Sequence, residues 1–119
     1  MNFLELIANA IAMQEGFFAE GENRSKKNNN LGNMRASCLQ RLKDDKGFVK
    51  FTSPQEGYAA LIVQLGLFVA RGYSLRQVIS AWAPPSDGNA TEAYLRFVAK
   101  RTGISPDQRL MDLYTIQKV

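Results

Sequence analysis

One acid in this 119-residue chain, Glu15, stands where a proton donor could be built, at the end of an apolar helical run and directly before Gly16. Leu4, Ala8 and Ile11 precede it at spacings of four and three, so all four share one helix face and the carboxyl is directed toward the core side. Gly16 supplies the left-handed residue that ends many helices, which places Glu15 in the last turn, at the negative end of the macrodipole. Partial burial and a negative pole both penalise the anion, and a carboxyl kept neutral near neutral pH can donate a proton to a glycosidic oxygen. The plainer alternative is a solvated glutamate at a frayed helix end.

Two further groups carry suitable side chains. Asn28 to Met34 reads Asn-Asn-Asn-Leu-Gly-Asn-Met. Asparagine tolerates positive φ and bonds nearby backbone, so the segment is either a tight turn held by amides or a set of paired donors and acceptors matched to sugar hydroxyls and N-acetyl groups. Trp82, Ala83, Pro84 and Pro85 form a rigid corner, followed by Asn89, Thr91 and Tyr94. That group is either a core tryptophan at a helix end or, with its hydroxyls, one wall of a cleft.

Composition removes much other chemistry. The chain has no histidine and a single cysteine, Cys38, so imidazole catalysis, a Ser/His/Asp triad and an intramolecular disulfide are excluded. Neither a metal site nor a cofactor is expected, and Cys38 reads as a small hydrophobe. The formal charge is +4, and residues 20–50 hold eight Lys/Arg against four Asp/Glu while the rest of the chain holds seven of each. The basic excess is therefore local, suited to nucleic acid, an anionic membrane surface or an anionic wall polymer, or simply to a solvated loop. Glu5 stands where a signal peptide would carry a cation, Asn9 and Gln14 interrupt the apolar stretch, and no run reaches transmembrane length. The expectation is synthesis in the cytoplasm without a visible leader, and no membrane insertion.

The elements that must position these groups are marked by caps and breakers. At 45% apolar content the chain is expected to form one domain over residues 1–119. Ser53, Pro54, Gln55 and Glu56 read as a capping box that opens a helix burying Leu61, Ile62, Leu65, Phe68 and Val69 and stopping at Gly72. Ser74 with Gln77 opens a short helix that Pro84 ends. Asn89 with Glu92 caps a third, running to Gly103. Ser105 to Gln108 opens the last, with Leu110, Leu113 and Tyr114 inward. With the N-terminal segment this predicts about five helices, a mainly α chain. Glu20 to Asn30 reads as loop, and Phe48 to Phe51 as a short strand that forms a hairpin, across the turn Asp44 to Gly47, with a partner in residues 35–42.

Taken in order, Ala12 to Phe18, Asn28 to Met34, Phe51 to Leu61 and Trp82 to Phe97 make the chain resemble the lysozyme-like, lytic-transglycosylase-like domains of phage and bacterial genomes. The resemblance covers most of the chain. It implies a mainly α (α+β) lysozyme-like fold with the hairpin beside a glycan cleft, and cleavage of the β-1,4 bond between N-acetylmuramic acid and N-acetylglucosamine. Glu15 takes the place of that family's general acid/base. Asn30, Asn33, Tyr94, Asn89 and Ser53 would contact the sugar. The chain carries Leu31 where the family usually has proline, and offers no securely placed second carboxylate, with Asp44, Asp45, Glu20 and Glu22 the candidates. Two-carboxylate glycosidases need such a partner. One acid suffices when the substrate's own group completes the displacement, so a transglycosylase is preferred over a hydrolase. The expected partner is peptidoglycan, bound by a monomer acting at the cell wall or as a phage-associated component. A catalytically silent glycan-binding or phage structural module is the alternative, and a nucleic-acid binder using the basic loop a weaker third.

Overall fold

A computed structural model of the chain describes residues 1–87 and 89–117. Among the described residues six α-helices make up about half of the chain: α1 (Phe3–Gln14), α2 (Arg24–Lys27), α3 (Pro54–Ala70), α4 (Leu75–Trp82), α5 (Thr91–Thr102) and α6 (Asp112–Gln117), with a 3-10 turn at Pro85–Asp87. The mainly α expectation holds. The predicted hairpin is reduced, among the described residues, to an isolated antiparallel bridge between Lys43 and Val49. Its turn forms where the sequence put it, with the Gly47 N–H donating to the Asp44 carbonyl and the Asp44 N–H to that of Phe48. The chain divides into two compact units, Ala8–Gln64 and Met1–Ile7 with Leu65–Val119.

In the Ala8–Gln64 unit, α1 ends in a Schellman motif. The Phe17 N–H reaches the Ala12 carbonyl at 3.0 Å, the Gly16 N–H reaches that of Met13 at 3.1 Å, and Gly16 takes φ of 87°. Glu15 is thus the last residue before the left-handed one, and its N–H still bonds the Ile11 carbonyl. The predicted loop over residues 20–30 contains α2, a single turn too polar to show apolar periodicity. Asn23 makes this turn possible. Its Oδ1 caps the Lys26 N–H, and its Nδ2 donates to the Gly16 carbonyl at 2.7 Å, tying the start of α2 to the end of α1. A second Schellman pattern closes α2, with Asn29 in the left-handed position at φ 52° that Gly16 fills after α1.

The segment after α2 is held by asparagine amides. Asn29 Nδ2 donates to the Phe51 carbonyl, and the buried Asn30 donates to the Met34 and Val49 carbonyls while accepting from the Met34 N–H. The Ser25 hydroxyl, also buried, donates to the Asn30 carbonyl. Ser53 caps α3 by accepting from the Glu56 N–H, but the Glu56 carboxylate turns to Thr52 and Arg41, so half of the predicted capping box forms. Cys38, read as a small hydrophobe, is exposed.

In the other unit, an Asn2–Glu5 capping box opens α1, with Asn2 Oδ1 accepting from the Glu5 N–H at 2.9 Å and Glu5 Oε1 from the Asn2 N–H. The Ser74–Gln77 box forms as predicted, and α4 packs on α5 over Leu75, Val78, Ile79, Leu95 and Val98, all buried. The signature at Ser105 to Gln108 opens no helix. Residues 106–110 instead run antiparallel to 73–76, where the Pro106 and Gln108 carbonyls accept from the Arg76 and Leu75 N–H groups, first-turn donors that α4 cannot satisfy itself. Leu110 is buried as expected, but α6 begins only at Asp112, and Tyr114 is 41% exposed with its ring edge-on to Phe3. Asn89 is not the cap of α5, since Ala90 holds that position without a side-chain bond.

Candidate active site around Glu15

The Ala8–Gln64 unit brings Glu15 and Asn33 together across 18 positions of sequence. Asn33 Nδ2 donates to Glu15 Oε1 at 3.1 Å. Two devices place the amide there. The Asn33 N–H bonds the carbonyl of the buried Asn30, and Asn33 itself adopts φ of 48°, a left-handed conformation that asparagine tolerates better than most non-glycine residues. The other amide atom, Oδ1, is buried and has no hydrogen-bond partner among the described residues. One buried acceptor thus lies unsatisfied beside a partly exposed carboxyl, an arrangement that costs the fold about 1–3 kcal/mol.

The remaining asparagines of the turn serve the fold. Asn28 Nδ2 donates to Asp44 Oδ2 at 2.9 Å, and Asn29 and Asn30 are committed to backbone carbonyls. Asn30 has no exposed surface and its amide is saturated, so it supports the turn instead of facing a sugar. Ser53 is likewise occupied as the cap of α3.

Asp44, one of the candidate second carboxylates, is a structural acceptor. It receives four hydrogen bonds, from Arg24 Nε, Asn28 Nδ2 and the Lys46 and Phe48 N–H groups. Burial pushes its carboxyl up, but these four donors outweigh burial and hold it far below the ordinary carboxylate range. Asp45, Glu20 and Glu22 are exposed. Glu56 is paired with Arg41 through two contacts of 2.8 Å and also accepts from the Thr52 N–H and hydroxyl. The Arg41 hydrogen bonds, then those of Thr52, bring its carboxyl down to about 2.

Gly57, in the first turn of α3, is a positioning residue that the sequence reading passed over. A Cβ there would lie 1.8 Å from the Asn29 carbonyl oxygen, so only glycine lets the asparagine turn approach the helix. Its signal was present as a glycine inside a helical pattern. Asn23 gave a weaker one, a cap-type residue before four polar positions.

Tyr94 and Asn89 belong to the other unit. Tyr94 is 5% exposed on α5. Asn89 Nδ2 donates to the Pro84 carbonyl at 3.2 Å and Thr91 Oγ1 to that of Ala83 at 2.6 Å, so both clasp the proline corner. A concavity of about 410 Å³ in the Ala8–Gln64 unit is walled by Ala36, Ser37, Leu39, Gln40, Arg41, Lys43 and Val49, which include none of the predicted site residues. Among the described residues no cluster of three or more His, Cys, Asp or Glu could hold a metal ion, and no helix is long and apolar enough to cross a membrane.

No family model matches the chain, and no solved structure matches it. Over 75 residues it is 35% identical to Protein P5 of Pseudoalteromonas phage PM2, an alignment that takes in 57% of this chain and 43% of that protein. The chain thus spans less than half the length of that phage relative.

Proposed function

We propose that the chain is a lysozyme-like peptidoglycan lytic transglycosylase with Glu15 as its single acid/base. The observation that carries this reading is the Asn33–Glu15 contact of 3.1 Å, made by an asparagine held in a left-handed conformation with a buried, open acceptor. A left-handed residue whose side chain fixes a carboxyl is typical of sites where orientation matters more than stability. The similarity to a phage protein agrees with a phage-related origin.

In this mechanism the Glu15 carboxyl gives its proton to the glycosidic oxygen as the bond from that oxygen to the muramic C1 breaks. The resulting carboxylate then takes the proton of the muramic 6-hydroxyl as its oxygen bonds C1, closing a 1,6-anhydro ring and restoring the acid. No water is consumed. Asn33 Nδ2 fixes the carboxyl. Asp44, already saturated by protein donors, is not asked to act as a nucleophile.

Glu15→Gln keeps the size of the side chain and its contact with Asn33 but cannot transfer a proton. Wall-lytic activity should fall at least about a hundredfold with the fold retained. Mass spectrometry of digested peptidoglycan should find muramic ends one water lighter than hydrolysis products. Reducing ends would make the enzyme a hydrolase, an unchanged Glu15→Gln would remove Glu15 from the chemistry, and wall binding without products would make the chain a silent module.

A further inference from the structure

The basic excess over residues 20–50 is not uniform once folded. Arg24 is paired with Asp44 and Arg41 with Glu56, while the Lys26 ammonium is folded back onto the Ala19 and Gly21 carbonyls. Arg35 differs from all three. It is exposed, and among the described residues no carboxylate pairs with it. Yet its guanidinium is fixed. The carbon at its centre lies 4.2 Å from the centroid of the Phe48 ring, and Nη1 donates to the Lys46 carbonyl at 3.0 Å. Gly47 lies under it, where an added Cβ would come within 3.7 Å of Nη1. Arg24 also contacts the Phe48 ring, at 4.9 Å, and is itself held by Asp44.

An arginine held over an aromatic face and by one carbonyl has already lost most of its rotamer freedom, which is the main cost of recruiting such a side chain for binding. Its Nε and Nη2 edge has no protein acceptor among the described residues. Two parallel N–H groups on one rigid plane match a planar oxyanion. We infer that Arg35 is a binding residue for a carboxylate, braced against the turn Asp44 to Gly47 and held ready by Phe48. A carboxylate presents its two oxygens in one plane with that edge, whereas a tetrahedral phosphate does not. The peptidoglycan reading supplies the source, the free carboxylates of the wall's stem peptides, and the inference rests on that reading for the source alone.

Binding to insoluble walls needs no bond cleavage, so the test stands apart from the fate of Glu15. The full chain is titrated with sacculi stripped of teichoic acid, before and after their carboxyls are converted to methylamides. Arg35→Gln should bind native sacculi about tenfold more weakly, the loss of one charge-assisted pair, and should match the parent on amidated sacculi. Lys50→Gln, which removes an exposed charge from the same segment, should lose less than about twofold. Equal losses in the two variants would reduce the effect to diffuse charge and overturn the site. So would an Arg35→Gln defect that survives amidation, one that appears only on walls retaining teichoic phosphate, or a parent chain that does not distinguish native from amidated wall. Thermal denaturation of Arg35→Gln should superimpose on the parent, since the exposed guanidinium supports little else.

Discussion

Asn33 and Asn30 are three positions apart in one motif and have opposite fates, because one amide is enclosed on every side and the other is half used. Asn30 meets three backbone partners and none of its surface is exposed, whereas Asn33 meets Glu15 and leaves its oxygen open. The same distinction separates the carboxylates. Glu56 is saturated by Arg41 and Thr52, and its lowered pKa makes a pH prediction with a definite sign. The stability it contributes is complete above its ordinary value near 4.5 and is lost as the pH falls toward about 2. Glu56→Gln should therefore lower the melting temperature at neutral pH and flatten its dependence on pH between those values. A variant as steep as the parent would remove Glu56 from the acid transition.

The elements meet the site through their ends. α1 stops in a glycine that leaves Glu15 on its last backbone hydrogen bond, α2 begins at an asparagine that clasps that glycine, and α3 begins where Gly57 admits the asparagine turn. Gly57→Ala sets two effects against each other. Alanine favours a helix interior by about 1 kcal/mol over glycine. Its Cβ, however, would overlap the Asn29 carbonyl at 1.8 Å, and moving backbone in a packed site costs about 1–3 kcal/mol. The steric effect wins, so the melting temperature should fall despite the better helix former, and lytic activity should fall more than stability because Asn33 follows Asn29 in the same turn. A Gly57→Ala variant that melts higher with full activity would show that the turn gives way freely.

Over the whole molecule, the net charge of +4 says less than which of its cations remain unpaired after folding. Among the eight cations of residues 20–50, pairing with carboxylates offsets Arg24 and Arg41, and the outward field is left to Lys26, Lys27, Arg35, Lys43, Lys46 and Lys50. Neutralising Lys27, Lys43 and Lys50 together should weaken wall binding and flatten its salt dependence, with little change in activity on short neutral chito-oligosaccharides. Neutralising Arg24 should act through stability instead, since Asp44 would lose one of its donors. Salt titration of wall binding beside thermal melts separates the two. A steep, sequence-selective affinity for duplex DNA carried by the same lysines would point to nucleic acid instead.

The mainly α class, the helices α1, α3, α4 and α5, the left-handed glycines and the Ser74–Gln77 box could all be read from the chain, because caps, breakers and apolar spacing act within a few residues of one another. Glu15 at a helix end was legible for the same reason. The tertiary structure decided the rest. Ser105 to Gln108 carries a helix-start signature, but the unsatisfied N–H groups of α4 take its carbonyls, and a partner more than thirty residues away overrides a local preference. Which asparagine is buried scaffold and which reaches the acid depends on Val49, Phe51 and Asp44, all distant in sequence. The separation of paired from unpaired cations depends on where Asp44 and Glu56 come to rest. Residue type and spacing set what each side chain can do, and only the folded neighbours determine which of those capacities is already used.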